Sequence, residues 1–147
     1  MKKVLITGST GAIGEACARY FHDNGYFVYL HYKSNQEKAK ELNNELSNSK
    51  LLQFDITKKD EVVSILEDLE LDVLVNNAGI TRDNLFFWMS DEEWSDVIDT
   101  SVNGTFYVTK AVLKKMILNK KGSIVNVASV SGLVGNAGQT NYSAAKG

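Results

Sequence analysis

The chain has 147 residues, a formal net charge of −2, 44% hydrophobic and 23% charged residues, the size and composition of one globular domain with a core of its own. Near-neutral charge argues against general nucleic-acid binding, and no window approaches the ~18 apolar residues of a membrane span. One cysteine and two histidines exclude a disulfide framework and give no ligand set for a metal, so the expected compartment is the cytoplasm.

Met1-Lys2-Lys3 is followed by only three apolar residues, short of the ~7 that a signal-peptide core needs. Val4-Leu5-Ile6 instead reads as a buried strand running into Thr7-Gly8-Ser9-Thr10-Gly11-Ala12-Ile13-Gly14. Beyond it the apolar pattern turns helical at Ile13, Cys17, Tyr20 and Phe21, so the stretch is strand, tight turn and helix start. Such a turn brings backbone N–H groups and the positive end of a helix up to a pyrophosphate, and glycine permits the close approach. Cys17 is expected to be a buried structural thiol.

Gly25 closes the first helix, and Tyr26 to Tyr32 reads as a second strand. A polar helix with Ala39, Leu42 and Leu46 at helical spacing leads to a third strand, Leu51 to Asp55. Val62, Leu66 and Leu69 mark a third helix before a fourth strand, Asp72 to Val75, which ends in Asn76-Asn77-Ala78-Gly79. Ser90 and Glu93 form a capping box that opens one long helix through Trp94, Val97, Ile98, Phe106, Val112 and Met116 until Gly122 breaks it. Ser123 to Ala128 is strand five, and after a loop a last helix begins near Tyr142. Strands alternating with amphipathic helices predict an α/β fold, a Rossmann-type doubly wound parallel sheet with ligands at the carboxyl edge.

Tyr142 and Lys146 are four apart, hence on one helical face one turn apart. A phenol's ordinary pKa is near 10, too high for efficient work at neutral pH, and a nearby ammonium favours the phenolate. A hydroxyl from the end of strand five, Ser129, is placed to share a substrate oxygen with the phenol. No Gly-x-Ser-x-Gly elbow supports a hydrolase, and a methyltransferase reading leaves Tyr142 and Lys146 without a purpose.

Three stretches together resemble the short-chain dehydrogenase/reductases, and more closely the 3-oxoacyl-[acyl-carrier-protein] and acetoacetyl-CoA reductases. They are Thr7-Gly8 to Gly14, Asn76 to Gly79 continued by Ile80-Thr81-Arg82-Asp83-Asn84-Leu85, and Gly135 through Tyr142 to Lys146. The resemblance implies NADP(H)-dependent reduction of a 3-oxoacyl thioester. Tyr142 would be the general acid, Ser129 would orient the ketone oxygen, and Lys146 would hold the nicotinamide ribose. It implies cofactor contacts from Gly8, Ser9, Thr10, Gly11, Ala12, Ile13 and Gly14, and from Asp55, Ile56, Asn77, Ala78 and Gly79. His31, Tyr32 and Lys33 join them at the ribose end, where residues 31 to 34 hold no carboxylate to select NAD and Lys33 suits a 2′-phosphate.

The chain departs from the family's pattern in three places. Ala12 stands at the middle glycine position, with Gly11 one residue earlier. Ser101 stands where the family has a long-helix asparagine, three residues before Gly104. Asn103 is turned roughly 200° away on an α-helix, so Ser101 either holds the family's water less well or merely packs. The sequence also stops one residue after Lys146, so the expectation is residues 1–147 as the N-terminal part of a longer reductase domain, truncated after the fifth strand and tetrameric in its full-length form. Lys114, Lys115, Lys120 and Lys121 complete the long helix, read either as complements to its dipole or as a dock for an acidic acyl-carrier protein.

Overall fold

In a computed structural model covering residues 1–147, five parallel strands form one sheet in the order β3-β2-β1-β4-β5. They are β1 (Lys3–Ile6), β2 (Phe27–Tyr32), β3 (Ser49–Gln53), β4 (Val73–Asn76) and β5 (Ser123–Asn126). β1 is central: Val4 pairs with Val28 on one side and Val73 on the other, and Ile6 with Leu30 and Val75. From β1 the chain first builds outward to β3 and then crosses back to β4. The strand order therefore reverses between β1 and β4, which opens a crevice at their carboxyl ends.

Alternation along the strands divides the core into two layers. Val4, Ile6, Val28, Leu30, Val73 and Val75 face Ala18 of α1 (Ala12–Asp23) and Leu42 of α2 (Gln36–Glu45). Leu5 and Leu74 face Val62 and Leu66 of α3 (Lys59–Leu66), and Val108, Val112 and Met116 of α5 (Gly104–Leu118). Burial on both faces explains why β1 and β4 read as continuous apolar runs rather than alternating ones. The doubly wound parallel sheet is thus the observed fold. No helix is long and apolar enough to cross a membrane.

The long helix differs from its expected form. Its capping box is present, Ser90 and Glu93 each accepting from the other's backbone N–H. However, α4 (Asp91–Ile98) gives way to a π-helical turn over Asp99–Asn103 before α5 resumes. Strand bounds also shift: β3 starts at Ser49 and stops before Phe54, and β5 stops at Asn126, short of Ala128. α3 ends at Leu66, leaving Leu69 beyond it. A short helix, α6 (Ser131–Val134), occupies what the sequence suggested was loop, and α7 (Thr140–Lys146) starts two residues before Tyr142. Cys17 is half-buried against the α1 layer rather than enclosed, and Ile13 and Tyr20 point outward.

Candidate functional site

The glycine turn rises from the end of β1 and is fixed by hydrogen bonds to its neighbours. Thr7 Oγ1 accepts from the N–H groups of Asn77 and Ala78, both at 3.0 Å. The Asn77 side-chain amide donates to the carbonyls of Thr7 and Gly8. Gly8 adopts φ +66°, and a β-carbon there would lie 2.9 Å from Ala78 Cα. A β-carbon at Gly14 would overlap the Gly8 carbonyl oxygen and stand 2.8 Å from the Asn77 amide. Gly8 and Gly14 are therefore demanded by the geometry. Gly11 has ordinary room, its nearest atom being Gly8 O at 3.6 Å.

α1 opens at Gly11 with no side chain capping it, which leaves first-turn N–H groups directed at the crevice. A cavity of about 560 Å³ lies over this helix end, lined among others by Gly8, Thr10, Gly11, Ala12, Ile13, Asn77, Ala78 and Gly79. The departure at Ala12 leaves this opening intact, since the methyl is exposed on its wall. Two residues of the turn stand outside the lining. Ser9 is fully buried and both its hydroxyl and its N–H donate to His31 O, while Gly14 lies buried beneath Gly8, so neither lines the cavity.

At the other end of the cavity stand His31, Tyr32, Lys33, Ser34, Asp55 and Ile56. Tyr32 is buried with its hydroxyl donating to Gln53, and Ile56 packs on Gly104. Lys33 does not stand free: its ammonium is 3.1 Å from Asp55 Oδ2. Burial pushes the Asp55 carboxyl up, but the hydrogen bonds it accepts from Thr57 and its pairing with Lys33 outweigh that and hold it below its ordinary value. His31 is 3% exposed, and burial drives its pKa down to about 4 against the opposing hydrogen bond to Phe54 and the charge of Asp55.

A second cavity, about 460 Å³, shares Ile13, Asn77, Gly79 and Ile80 with the first and contains Tyr142 and Lys146. The phenol and the ammonium therefore stand at the mouth of the same crevice as the glycine turn. Lys146 Nζ donates to Val127 O at 2.9 Å, and burial lowers its pKa. Ser101, from the π turn, stands with Lys146 beside Gly79: a β-carbon built on Gly79 would be 3.4 Å from Lys146 Nζ and 3.5 Å from Ser101 Oγ. Ser101 is 8% exposed and its hydroxyl has no hydrogen-bond partner. It lines a cavity of about 270 Å³ with Asn76 and Lys146. Asn103 bonds Asp99 instead, away from this cavity. Ser129 follows Ala128, which lines the Tyr142 cavity, but does not itself line it; its hydroxyl accepts from Ser131 N–H.

Sequence reasoning missed Thr7 as the clasp between turn and β4, and Asn141 as the anchor of Tyr142. Asn141 is fully buried; its amide donates to the carbonyls of Arg82 and Glu93, and its oxygen accepts from Tyr142 N–H. No spacing rule marks either residue, because the partners that fix them in the fold, Asn77 and Ala78 for Thr7 and Arg82 and Glu93 for Asn141, lie 48 to 71 positions away. Gln139 and Asn84 add bonds between the same two loops. Of the four lysines in and just after the last turns of α5, Lys115 pairs with Asp68 and Lys121 with Asp72, leaving Lys114 and Lys120 unpaired.

A family model described as short chain dehydrogenase matches residues 2–147. The chain belongs to the short-chain dehydrogenase family. Among curated members, the Nodulation protein G of Rhizobium meliloti is 43% identical over 99% of this chain and 61% of its own length. The 3-oxoacyl-[acyl-carrier-protein] reductase FabG of Staphylococcus aureus is 40% identical over 99% of this chain and 63% of its own. The reductase of the same name from Haemophilus influenzae is 40% identical over 99% and 62%. The chain thus spans less than two thirds of the length of these short-chain dehydrogenase relatives.

Proposed function

We propose that this chain carries the cofactor crevice and the proton donor of an NADPH-dependent reductase of 3-oxoacyl thioesters. One observation carries the reading: Tyr142 and Lys146 share a cavity with Asn77 and Gly79, which also line the crevice over the glycine turn. The residues present fit a dinucleotide, because the uncapped start of α1 and the space kept open by Gly8 and Gly14 form a cradle for a pyrophosphate. Gly8 and Thr10 to Ile13 would hold it, with Lys33 and Asp55 at the adenosine end and Lys146 at the nicotinamide ribose. When bound, that cofactor supplies a hydride to the carbonyl carbon of the substrate.

The chain's own residues supply the proton and the placement. Tyr142 donates its phenolic proton to the ketone oxygen as that oxygen becomes negative, and the Lys146 ammonium stabilises the phenolate left behind. Ser129 gives the same oxygen a second donor once its hydroxyl turns from Ser131 toward the cavity. At the adenosine end a 2′-phosphate competes with Asp55 for the Lys33 ammonium, which favours NADPH over NADH. The two relatives named as 3-oxoacyl-[acyl-carrier-protein] reductases support a thioester substrate, and a carrier protein finds two unpaired cations, Lys114 and Lys120, at the end of α5. The whole protein is expected to be cytoplasmic and tetrameric.

A second reading, dinucleotide binding without turnover, is favoured by the orphaned hydroxyl of Ser101 beside Lys146. The deciding assay follows NADPH oxidation with acetoacetyl-coenzyme A for the chain and for Tyr142→Phe. Turnover in the first, lowered at least about a hundredfold in the second, supports the reductase. NADPH binding with no turnover in either supports the silent reading. Tighter binding of NADH than of NADPH overturns the coenzyme assignment.

A further inference from the structure

We propose that His31 is a positioning residue for the dinucleotide turn, its neutral ring holding the Gly8 N–H in place from within the protein. The inference rests on the dinucleotide reading above and goes beyond the contact expected of His31. The ring is buried and both of its nitrogens are engaged by protein, so neither is free for a ligand.

Nδ1 receives the Gly8 N–H at 3.0 Å, and Nε2 is 2.9 Å from the Phe54 carbonyl. A backbone N–H only donates and a carbonyl only accepts, so the ring is neutral with its proton on Nε2. The same residue's carbonyl accepts from Ser9 N–H and Ser9 Oγ, both at 2.9 Å. Three hydrogen bonds thus run from consecutive turn residues to His31. The ring also packs on Phe54, with centroids 4.2 Å apart, tying the end of β2 to the residue that follows β3.

The function of this arrangement follows from the position of Gly8. Its left-handed backbone and its contact with Ala78 decide where the carbonyl that overhangs Gly14 sits, and so where α1 begins relative to the crevice. A side chain without an acceptor at the δ position leaves the Gly8 N–H unsatisfied in a half-buried place, and the turn relaxes toward another partner. Protonation of Nδ1 has the same effect, since two donors then face each other.

Two isosteric variants separate positioning from folding. Asn places an oxygen where Nδ1 stands and has nothing at the Nε2 position; Gln reaches the Nε2 position and has no acceptor at δ. NADPH titration of the full chain, read by nicotinamide fluorescence, is made on the wild type, His31→Asn, His31→Gln and His31→Leu, with a melting curve for each. The expected result is Kd within about threefold of wild type for Asn and at least about tenfold weaker for Gln and Leu, the size of one lost hydrogen bond, although Asn and Gln melt at similar temperatures. Equal weakening in Asn and Gln, or affinities that simply follow melting temperature, overturns the inference. If His31→Leu does not fold, the Asn and Gln pair still decides. A wild-type chain that fails to bind NADPH overturns the dinucleotide reading itself, and the inference with it.

Discussion

A histidine that must stay neutral makes the fold sensitive to acid. The unfolded chain protonates His31 near its ordinary value of 6.5, whereas the folded chain resists until about 4. The folded-state value is the lower, so stability from this group is complete above 6.5 and drains away as pH falls toward 4; the loss is about 3 kcal/mol. Denaturant unfolding at several pH values should show that decline, and His31→Asn should flatten it. The glycines make a second residue-scale test. Gly14→Ala forces a methyl onto the Gly8 carbonyl and should abolish NADPH binding, whereas Gly11→Ala meets only ordinary contacts and should bind within a few-fold of wild type. Both variants are read by the same fluorescence titration. Of the glycine spacing seen in the sequence, only Gly8 and Gly14 prove sterically obligatory.

Among the elements, α7 has seven residues, too few to hold a helix unaided. It is oriented from outside, by Asn141 at its start and by Lys146 Nζ on Val127 O at its end. Asn141→Ala leaves the carbonyls of Arg82 and Glu93 without their donor, a loss of about 3 kcal/mol. Where the variant remains folded, its kcat should fall while its affinity for NADPH stays unchanged. The four-residue spacing of Tyr142 and Lys146 was legible because one helix carries both; Asn141 was not, because its value lies in two distant carbonyls, Arg82 in the loop after β4 and Glu93 in the first turn of α4. The π turn was equally hidden. Apolar spacing from Trp94 to Met116 fits an unbroken helix, and the turn shows only as an extra residue per turn at Asp99–Asn103. That turn places Ser101 with Lys146 on the wall of one cavity, which has room for a longer side chain. Ser101→Asn is therefore expected to raise kcat several-fold without changing the Kd for NADPH.

Over the whole molecule, the alternation of strands and helices was readable because each element carries its own periodicity and buries its own face. That alternation implied a doubly wound parallel sheet with right-handed crossovers, and the structure supplies its strand order, β3-β2-β1-β4-β5. What sequence could not supply was the pairing of charges across the surface. Lys33, expected to suit a 2′-phosphate, is also paired with Asp55, and of the lysines read either as dipole complements or as a basic dock, Lys115 and Lys121 are paired with Asp68 and Asp72. Exposed pairs of this kind are weak and salt-sensitive. Charge reversal at Lys114 and Lys120 should thus reduce turnover of a carrier-bound substrate more than the same change at Lys115 and Lys121, while acetoacetyl-coenzyme A turnover stays level. Equal rates for all variants on the carrier-bound substrate would remove the dock.

The central place of β1 has a consequence in time. β1 is made first, yet its two edges are completed far apart in synthesis: residue 27 onward supplies β2, and residue 73 onward supplies β4. The turn is assembled in the same two instalments. His31 is available to Gly8 and Ser9 within 23 residues, but Thr7 receives Asn77 and Ala78 only about 70 residues later. On a ribosome the growing chain thus holds a half-supported glycine turn, braced on one side and open on the other, until β4 has emerged. A chain stalled before residue 73 should leave the turn open to a protease, and one stalled after β4 has cleared the exit tunnel should protect it.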